Sequence, residues 1–200
     1  MKGKEFFNKK KKIIVAAIIL ILLVVISIPI SVHFYNLHNY NKYLELGQAN
    51  LNKEKFDEAA NDYKSALKYQ SKNKEVINQK LSLVKLLKES KQKYDQAILL
   101  FNDKKYLDAI NDFNDISKDD KNYYKKAQDK ITECKTSYIN DNISKAKTDA
   151  DSKNYSEAIT FLDTVLKFDS TCKEASSLKE QYNNEIQKIK DEEAAAKKKA

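Results

Sequence analysis

Tryptophan and arginine are absent from the 200 residues, and there are only two glycines, one proline, two cysteines and two histidines. Each scarcity excludes something. Gly3, Gly47 and Pro29 cannot supply the turns that a strand-rich domain needs, so the composition implies an all-α chain. Two glycines cannot build a phosphate-cradling loop or a dinucleotide fingerprint, which need several at set spacing. His33 and His38 stand five positions apart, so on one helix they do not share a face as a pair of metal ligands would. They read instead as interfacial residues with polar tips. Carboxylates are plentiful, but no distinctive pair stands clear of lysine neighbours, the pattern of a solvated face. Catalysis, metal binding, cofactors and a small-molecule substrate are therefore not expected.

Charge is unevenly placed. Six lysines (Lys2, Lys4, Lys9, Lys10, Lys11, Lys12) against Glu5 put +5 of the net +8 in the first twelve residues. The remainder interleaves both signs, which is a helical surface in water rather than a nucleic-acid footprint. After this basic tail (1–12) comes "IIVAAIILILLVVISIPISV", residues 13–32, with no charge. Twenty residues at about 1.5 Å each span about 30 Å, the hydrocarbon thickness of a bilayer. A cleaved signal peptide has a shorter apolar region, about 7–15 residues, followed by a small-x-small site. Ser27 is followed at that spacing by Pro29, and Ser31 by His33, so the run reads as an uncleaved transmembrane anchor. The Lys9–Lys12 cluster assigns the N-terminus to the cytoplasm and residues 33–200 to the extracytoplasmic side. Phe34, Tyr35, Tyr40 and Tyr43 suit an interfacial belt or the first core beyond it.

Beyond a juxtamembrane segment (33–40), helical periodicity dominates. Apolar stripes run through Ile77, Leu81, Val84, Leu87, Tyr94, Ile98 and Phe101, then Tyr124, Ala127, Ile131, Cys134 and Tyr138. They continue through Ile139, Ile143, Ala146 and Ala150, then Ala175, Leu178, Tyr182, Ile186 and Ile189. Between them a short string recurs: Phe56/Glu58/Ala59, Tyr106/Asp108/Ala109 and Tyr155/Glu157/Ala158, its alanines 50 and 49 residues apart. Four residues after each alanine stand Tyr63, Phe113 and Leu162, and three further on Ala66, Ile116 and Val165. Asn52, Asn102 and Asp151 precede each aromatic by four, and Lys53, Lys104 and Lys153 fall in the same connections. An Asx side chain there is suited to accept local backbone hydrogen bonds.

This pattern resembles the tetratricopeptide repeat (TPR), a helix-turn-helix unit. The first copy carries most of it, with Tyr43, Leu46 and Gly47 on one helix and Phe56, Ala59, Tyr63, Ala66 and Leu67 on the next. It departs at Asn50, where the family favours an apolar residue, and at Ser71, near the place of its closing proline. Copies two and three keep the turn and second helix, with Ala97 and Ala146 in the place of Gly47. The family period is about 34 residues; the extra length reads as longer first helices, each closing one hairpin and opening the next. Spectrin-like three-helix bundles also alternate long helices, but they do not call for alanine at a fixed turn.

The resemblance implies a concave partner-binding groove lined by each unit's first helix. Leu44, Gln48, Leu51 and Asn52 map to it in the first copy, Tyr94, Ile98, Phe101 and Asn102 in the second, and Ile143, Lys147 and Asp151 in the third. The apolar ones read as packing. Gln48, Asn52, Tyr94, Asn102, Lys147 and Asp151 remain as candidate contacts. Leu44 and Gln48 replace the Lys and Asn with which some members grip a terminal carboxylate, so that clamp is not implied. Cys134 and Cys172 lie 19 residues on either side of Lys153, a symmetry that allows a disulfide across an antiparallel hairpin. Two ordinary small core residues are the alternative.

The expected protein is an N-terminal transmembrane helix followed by a TPR-like helical-hairpin array (41–189) of alternating long and short helices. A charged helical tail or linker, 190–200, ends it. Its expected work is non-catalytic: a cell-membrane scaffold binding protein partners outside the cytoplasm. A passive helical spacer, or the anchoring half of a longer envelope enzyme or sensor, are the other readings.

Overall fold

A computed structural model describes the chain from residue 2 to 199. The side chains of residues 2–11, Ile13, Ser71 and Lys199 lie outside the described residues, and with them most of the basic tail from which orientation was read. Among the described residues there is no strand. Seven α-helices follow in order: α1 (Lys2–Asn52), α2 (Phe56–Leu67), α3 (Lys74–Asn102), α4 (Tyr106–Asn114), α5 (Lys121–Asp151), α6 (Tyr155–Phe168) and α7 (Lys173–Lys199). A single 3-10 turn, Ser71–Asn73, precedes α3. Long helices of 51, 29, 31 and 27 residues thus alternate with short ones of 12, 9 and 14.

The apolar run, the segment 33–40 and the first repeat helix follow one another without a break. They are one continuous helix, α1, with Pro29 inside it. Proline removes the donor to the Val25 carbonyl. Nearby, the Ser27 hydroxyl donates to the Val24 carbonyl at 3.0 Å and that of Ser31 to the Ser27 carbonyl at 2.9 Å. Among the described residues of the apolar run none is buried: the best 18-residue window, with a mean hydropathy of 3.1, is not covered by protein. That separates it from the core helix of a globular domain; it is long and apolar enough to cross a membrane.

Each short helix is entered through the same turn. The Glu54 N–H donates to the Leu51 carbonyl at 3.0 Å and that of Lys55 to the Asn50 carbonyl at 2.9 Å. Lys104 and Lys105 repeat the pair onto Phe101 and Leu100, and Lys153 and Asn154 onto Ala150 and Asp149. These are Schellman motifs, which need one residue in the left-handed region. Glu54, Lys104 and Lys153 occupy it, with φ of 56°, 59° and 64°. In the first turn the counterpart of Lys104 and Lys153 is therefore Glu54, not Lys53. The carbonyls are met by backbone donors, so the Asx side chains are not what closes the turn. A side chain with a Cβ in this region costs about 1–2 kcal/mol, partly offset by the extra unfolded-state freedom that glycine brings. Lys104→Gly is expected to add about 0.5–1 kcal/mol of stability, seen as a higher urea midpoint with unchanged slope.

The chain divides into two compact units, residues 1–89 and 90–200, the boundary falling inside α3. In the first, Tyr40 and Leu51 of α1, Phe56, Ala59, Tyr63 and Ala66 of α2, and Ile77 and Val84 of α3 make one core. The second unit has two. Ala97, Ala109, Phe113, Ile116, Tyr123, Ala127, Ile131 and Cys134 form the earlier, and Ile143, Ala146, Ala158, Leu162, Val165, Ala175 and Tyr182 the later. The front half of α5 closes the earlier core and its back half opens the later one. Tyr123, rather than Tyr124, enters the core at the start of α5; Tyr124 only packs against it. The buried Asp120 carboxylate starts α5, its Oδ1 accepting from the backbone N–H of Asn122 at 3.2 Å and of Tyr123 at 3.1 Å. Such a cap meets donors that the first turn of a helix leaves free.

Candidate protein-interaction face

What brings the two helices of a hairpin together is a small residue opposite a large one. Gly47 on α1 lies so close to the buried Tyr63 ring of α2 that a Cβ there would stand 2.6 Å from Cε1. In the next cores Ala97 accompanies Phe113 and Ala146 accompanies Leu162, all four with no exposure. The last turns of α1, α3 and α5 are thereby held against the following short helix, and most of the candidate contacts sit on those turns.

In the first hairpin, Gln48 and Asn52 are exposed and joined, the Gln48 amide donating to Asn52 Oδ1 at 3.0 Å. The Tyr63 hydroxyl donates to Gln48 Oε1 at 3.4 Å, and Asn50 Nδ2 donates to Asp62 Oδ2 at 2.7 Å, tying α1 to α2. Leu44 is half-buried and Leu51 buried, which makes them packing residues. Burial, reinforced by the nearby Asp62 carboxylate, raises the Tyr63 phenol above its ordinary range, so it stays a donor. The polar strip Asn52–Gln48–Tyr63 presents amide groups and no charge of its own.

In the second hairpin Tyr94 is committed elsewhere. Its ring packs at 5.4 Å on both Phe113 and Tyr123, because the back half of α3 faces α4 and α5 together. Asn102, the last residue of α3, is exposed. Phe101 is partly covered and carries the Lys130 ammonium 5.2 Å from its ring centroid.

In the third hairpin Lys147 pairs with Glu174 of α7 at 2.8 Å, and that carboxylate raises the lysine's pKa. Behind the pair lies Tyr182, buried, its ring 5.8 Å from that of Tyr155. Burial pushes the Tyr182 phenol up, with Lys147 acting against that and Asp151 with it. Lys147 and Asp151 thus belong to a cluster completed by Glu174 and Tyr182, which the groove mapping did not include. The stripe through Ala175 and Tyr182 had placed α7, but nothing in the sequence couples Glu174 to a lysine 27 positions earlier.

Both cysteines are free. Cys134 is buried in the earlier core of the second unit, while Cys172 packs at the margin of the later one. The symmetry about Lys153 does not make them neighbours, because α6 ends at Phe168 and Cys172 stands in the turn that follows.

A family model described as SHNi-TPR matches residues 43–76. The match takes in the last turns of α1, the whole of α2 and the first residues of α3. Comparison with curated proteins and with solved structures gives no match. The first hairpin is thus TPR-like by both sequence and geometry, and a TPR-type module typically serves protein–protein interaction without catalysis.

Proposed function

We propose that this chain is a non-catalytic, membrane-anchored scaffold, presenting TPR-like hairpins to protein partners on the extracytoplasmic side. The observation that carries the reading is the continuity of α1. One helix holds the uncovered apolar run and, from Tyr40 to Asn52, the first helix of the hairpin matched by the TPR-type model. A partner held by that hairpin is held at a membrane. The three Schellman turns, at Glu54, Lys104 and Lys153, support reading the hairpins as copies of one unit with a period near 50 residues. The lysine-rich start supports a cytoplasmic N-terminus.

In this reading each unit offers its own contacts at the exposed ends of the first helices: Gln48 and Asn52 in the first unit, and Asn102, Lys147 and Asp151 in the second. Gln48→Glu keeps an acceptor for the Tyr63 hydroxyl while adding charge. Lys147→Glu replaces an exposed ion pair with two like charges in water, a surface change of little consequence for stability. Both variants are expected to keep the melting temperature within a few degrees and to reduce capture of a dominant partner in cross-linking on intact cells. Capture unaltered by both would remove this face. Diffuse capture of envelope material in the wild type would instead make the chain a spacer.

A further inference from the structure

Tyr69 lies in the link between α2 and α3, yet its ring is fixed against α1. It stacks on Tyr43 at 5.7 Å with an interplanar angle of 12°, and meets Tyr35 edge-on at 6.2 Å. The link is thereby held beside the first turns of α1 beyond the apolar run. Between them is a cleft of about 250 Å³ lined by His33, Asn36, Tyr69, Gln70 and Lys72. All five side chains can donate a hydrogen bond, Lys72 brings a full positive charge, and no carboxylate is among them. The His33 imidazole offers an N–H in either protonation state. Burial and the neighbouring Tyr43 and Tyr35 raise the Tyr69 phenol, so it stays protonated. Lys68, Lys72 and Lys74 crowd this stretch, with no acid before Glu75.

The cleft is smaller than the roughly 300–1,000 Å³ of drug-sized ligand sites, and its donor set suits a compact anion. Its position narrows the choice. At about 1.5 Å per residue, His33 to Asn36 lies within about 6 Å of the end of the apolar run. The headgroup layer beyond the hydrocarbon is about 5–7 Å deep on each side. We propose that this cleft binds the phosphate of an anionic phospholipid headgroup. Lys72 supplies the charge and His33, Asn36 and Tyr69 the hydrogen bonds. The proposal rests on α1 spanning a membrane, and it gives the first hairpin a second attachment to the bilayer besides the span itself.

The test reconstitutes the full chain in vesicles of equal parts phosphatidylcholine and phosphatidylglycerol, extracts it in mild detergent and counts retained lipids by native mass spectrometry. Retention of one phosphatidylglycerol, favoured about tenfold over phosphatidylcholine, is expected. The double variant His33→Gln with Lys72→Gln should lose that preference with unchanged helicity, while Lys53→Gln should keep it. Equal retention of the two lipids, or a preference that survives the double variant, overturns the proposal. Displacement by millimolar inorganic phosphate would overturn the lipid as the ligand and assign the cleft to free phosphate. Flotation of the same vesicles separates the two levels. A chain that floats without preferring phosphatidylglycerol keeps its span and loses the cleft; a chain that does not float loses both.

Discussion

Valine in place of Gly47 is expected to destabilise the first hairpin by about 3 kcal/mol, the upper end of what overpacking costs. A Cβ at that position meets Tyr63 Cε1 at 2.6 Å, Cδ1 at 2.7 Å and Cζ at 3.0 Å. Tyr63 has no exposed surface, so its ring cannot swing aside, and the helices must part. Helix propensity works in the opposite direction, since valine there improves on glycine by less than about 1 kcal/mol. That gain is too small to win, and valine adds two methyl groups to the clash. Urea unfolding of the full chain in detergent, followed by circular dichroism, reads the effect. The compensating pair is already present in the molecule: Ala146 and Leu162 hold the same places in the third hairpin, both fully buried. Gly47→Ala with Tyr63→Leu should therefore unfold close to the wild-type midpoint. A wild-type midpoint for Gly47→Val would mean that close approach is not what holds the hairpin.

That internal comparison is why so much of the fold was legible. Ala59, Ala109 and Ala158, with the residues four and seven positions on, are all exposed by 2 % or less. Three copies of one register fixed the inward face of each short helix, even where side chains differ as much as Tyr63, Phe113 and Leu162. The turn was harder to read. Glycine or asparagine would have marked the left-handed position, but glutamate or lysine stands there. Aligning by residue type picked Lys53, where counting back from Phe56 gives Glu54.

Contacts across elements left the weakest trace. Tyr94 had the spacing of a groove residue, yet its ring interlocks with Phe113 and Tyr123, and a stripe does not say which neighbours it faces. Cys134 and Cys172 were paired by counting along an idealised hairpin, which fails once α6 stops at Phe168. The Glu174 partner of Lys147 and the Tyr69 contact with α1 both depend on where a third helix or a link returns. No local pattern encodes that. Tyr40 shows the same limit from the other side: its place in the run of aromatics left the membrane interface and the first core both open, and at 6 % exposed it belongs to the core.

On the proposed anchoring by α1, two aspartates in the middle of the apolar run, Leu22→Asp with Val25→Asp, are expected to release the chain from membranes. Each charge at the centre of a spanning helix costs about 2.5–3.5 kcal/mol on insertion scales, so the pair costs about 5–7 kcal/mol, far beyond any single contact in the hairpins. Neither residue packs on protein, since Leu22 is 53 % and Val25 58 % exposed, so the loss cannot come from a disturbed core. Carbonate extraction of membranes is the readout: wild type stays in the pellet, the double variant moves to the supernatant, and Leu22→Phe stays behind. The residues that α1 brings to the first core, Tyr40 and Leu51 with Tyr43 and Leu44 packed against them, all lie beyond the apolar run. The released chain should therefore keep the unfolding midpoint of its hairpins. Retention of the double variant in the pellet would show that this helix is not the anchor. Release together with loss of the hairpin transition would show instead that the membrane part of α1 supports the first hairpin, making the bilayer part of its fold.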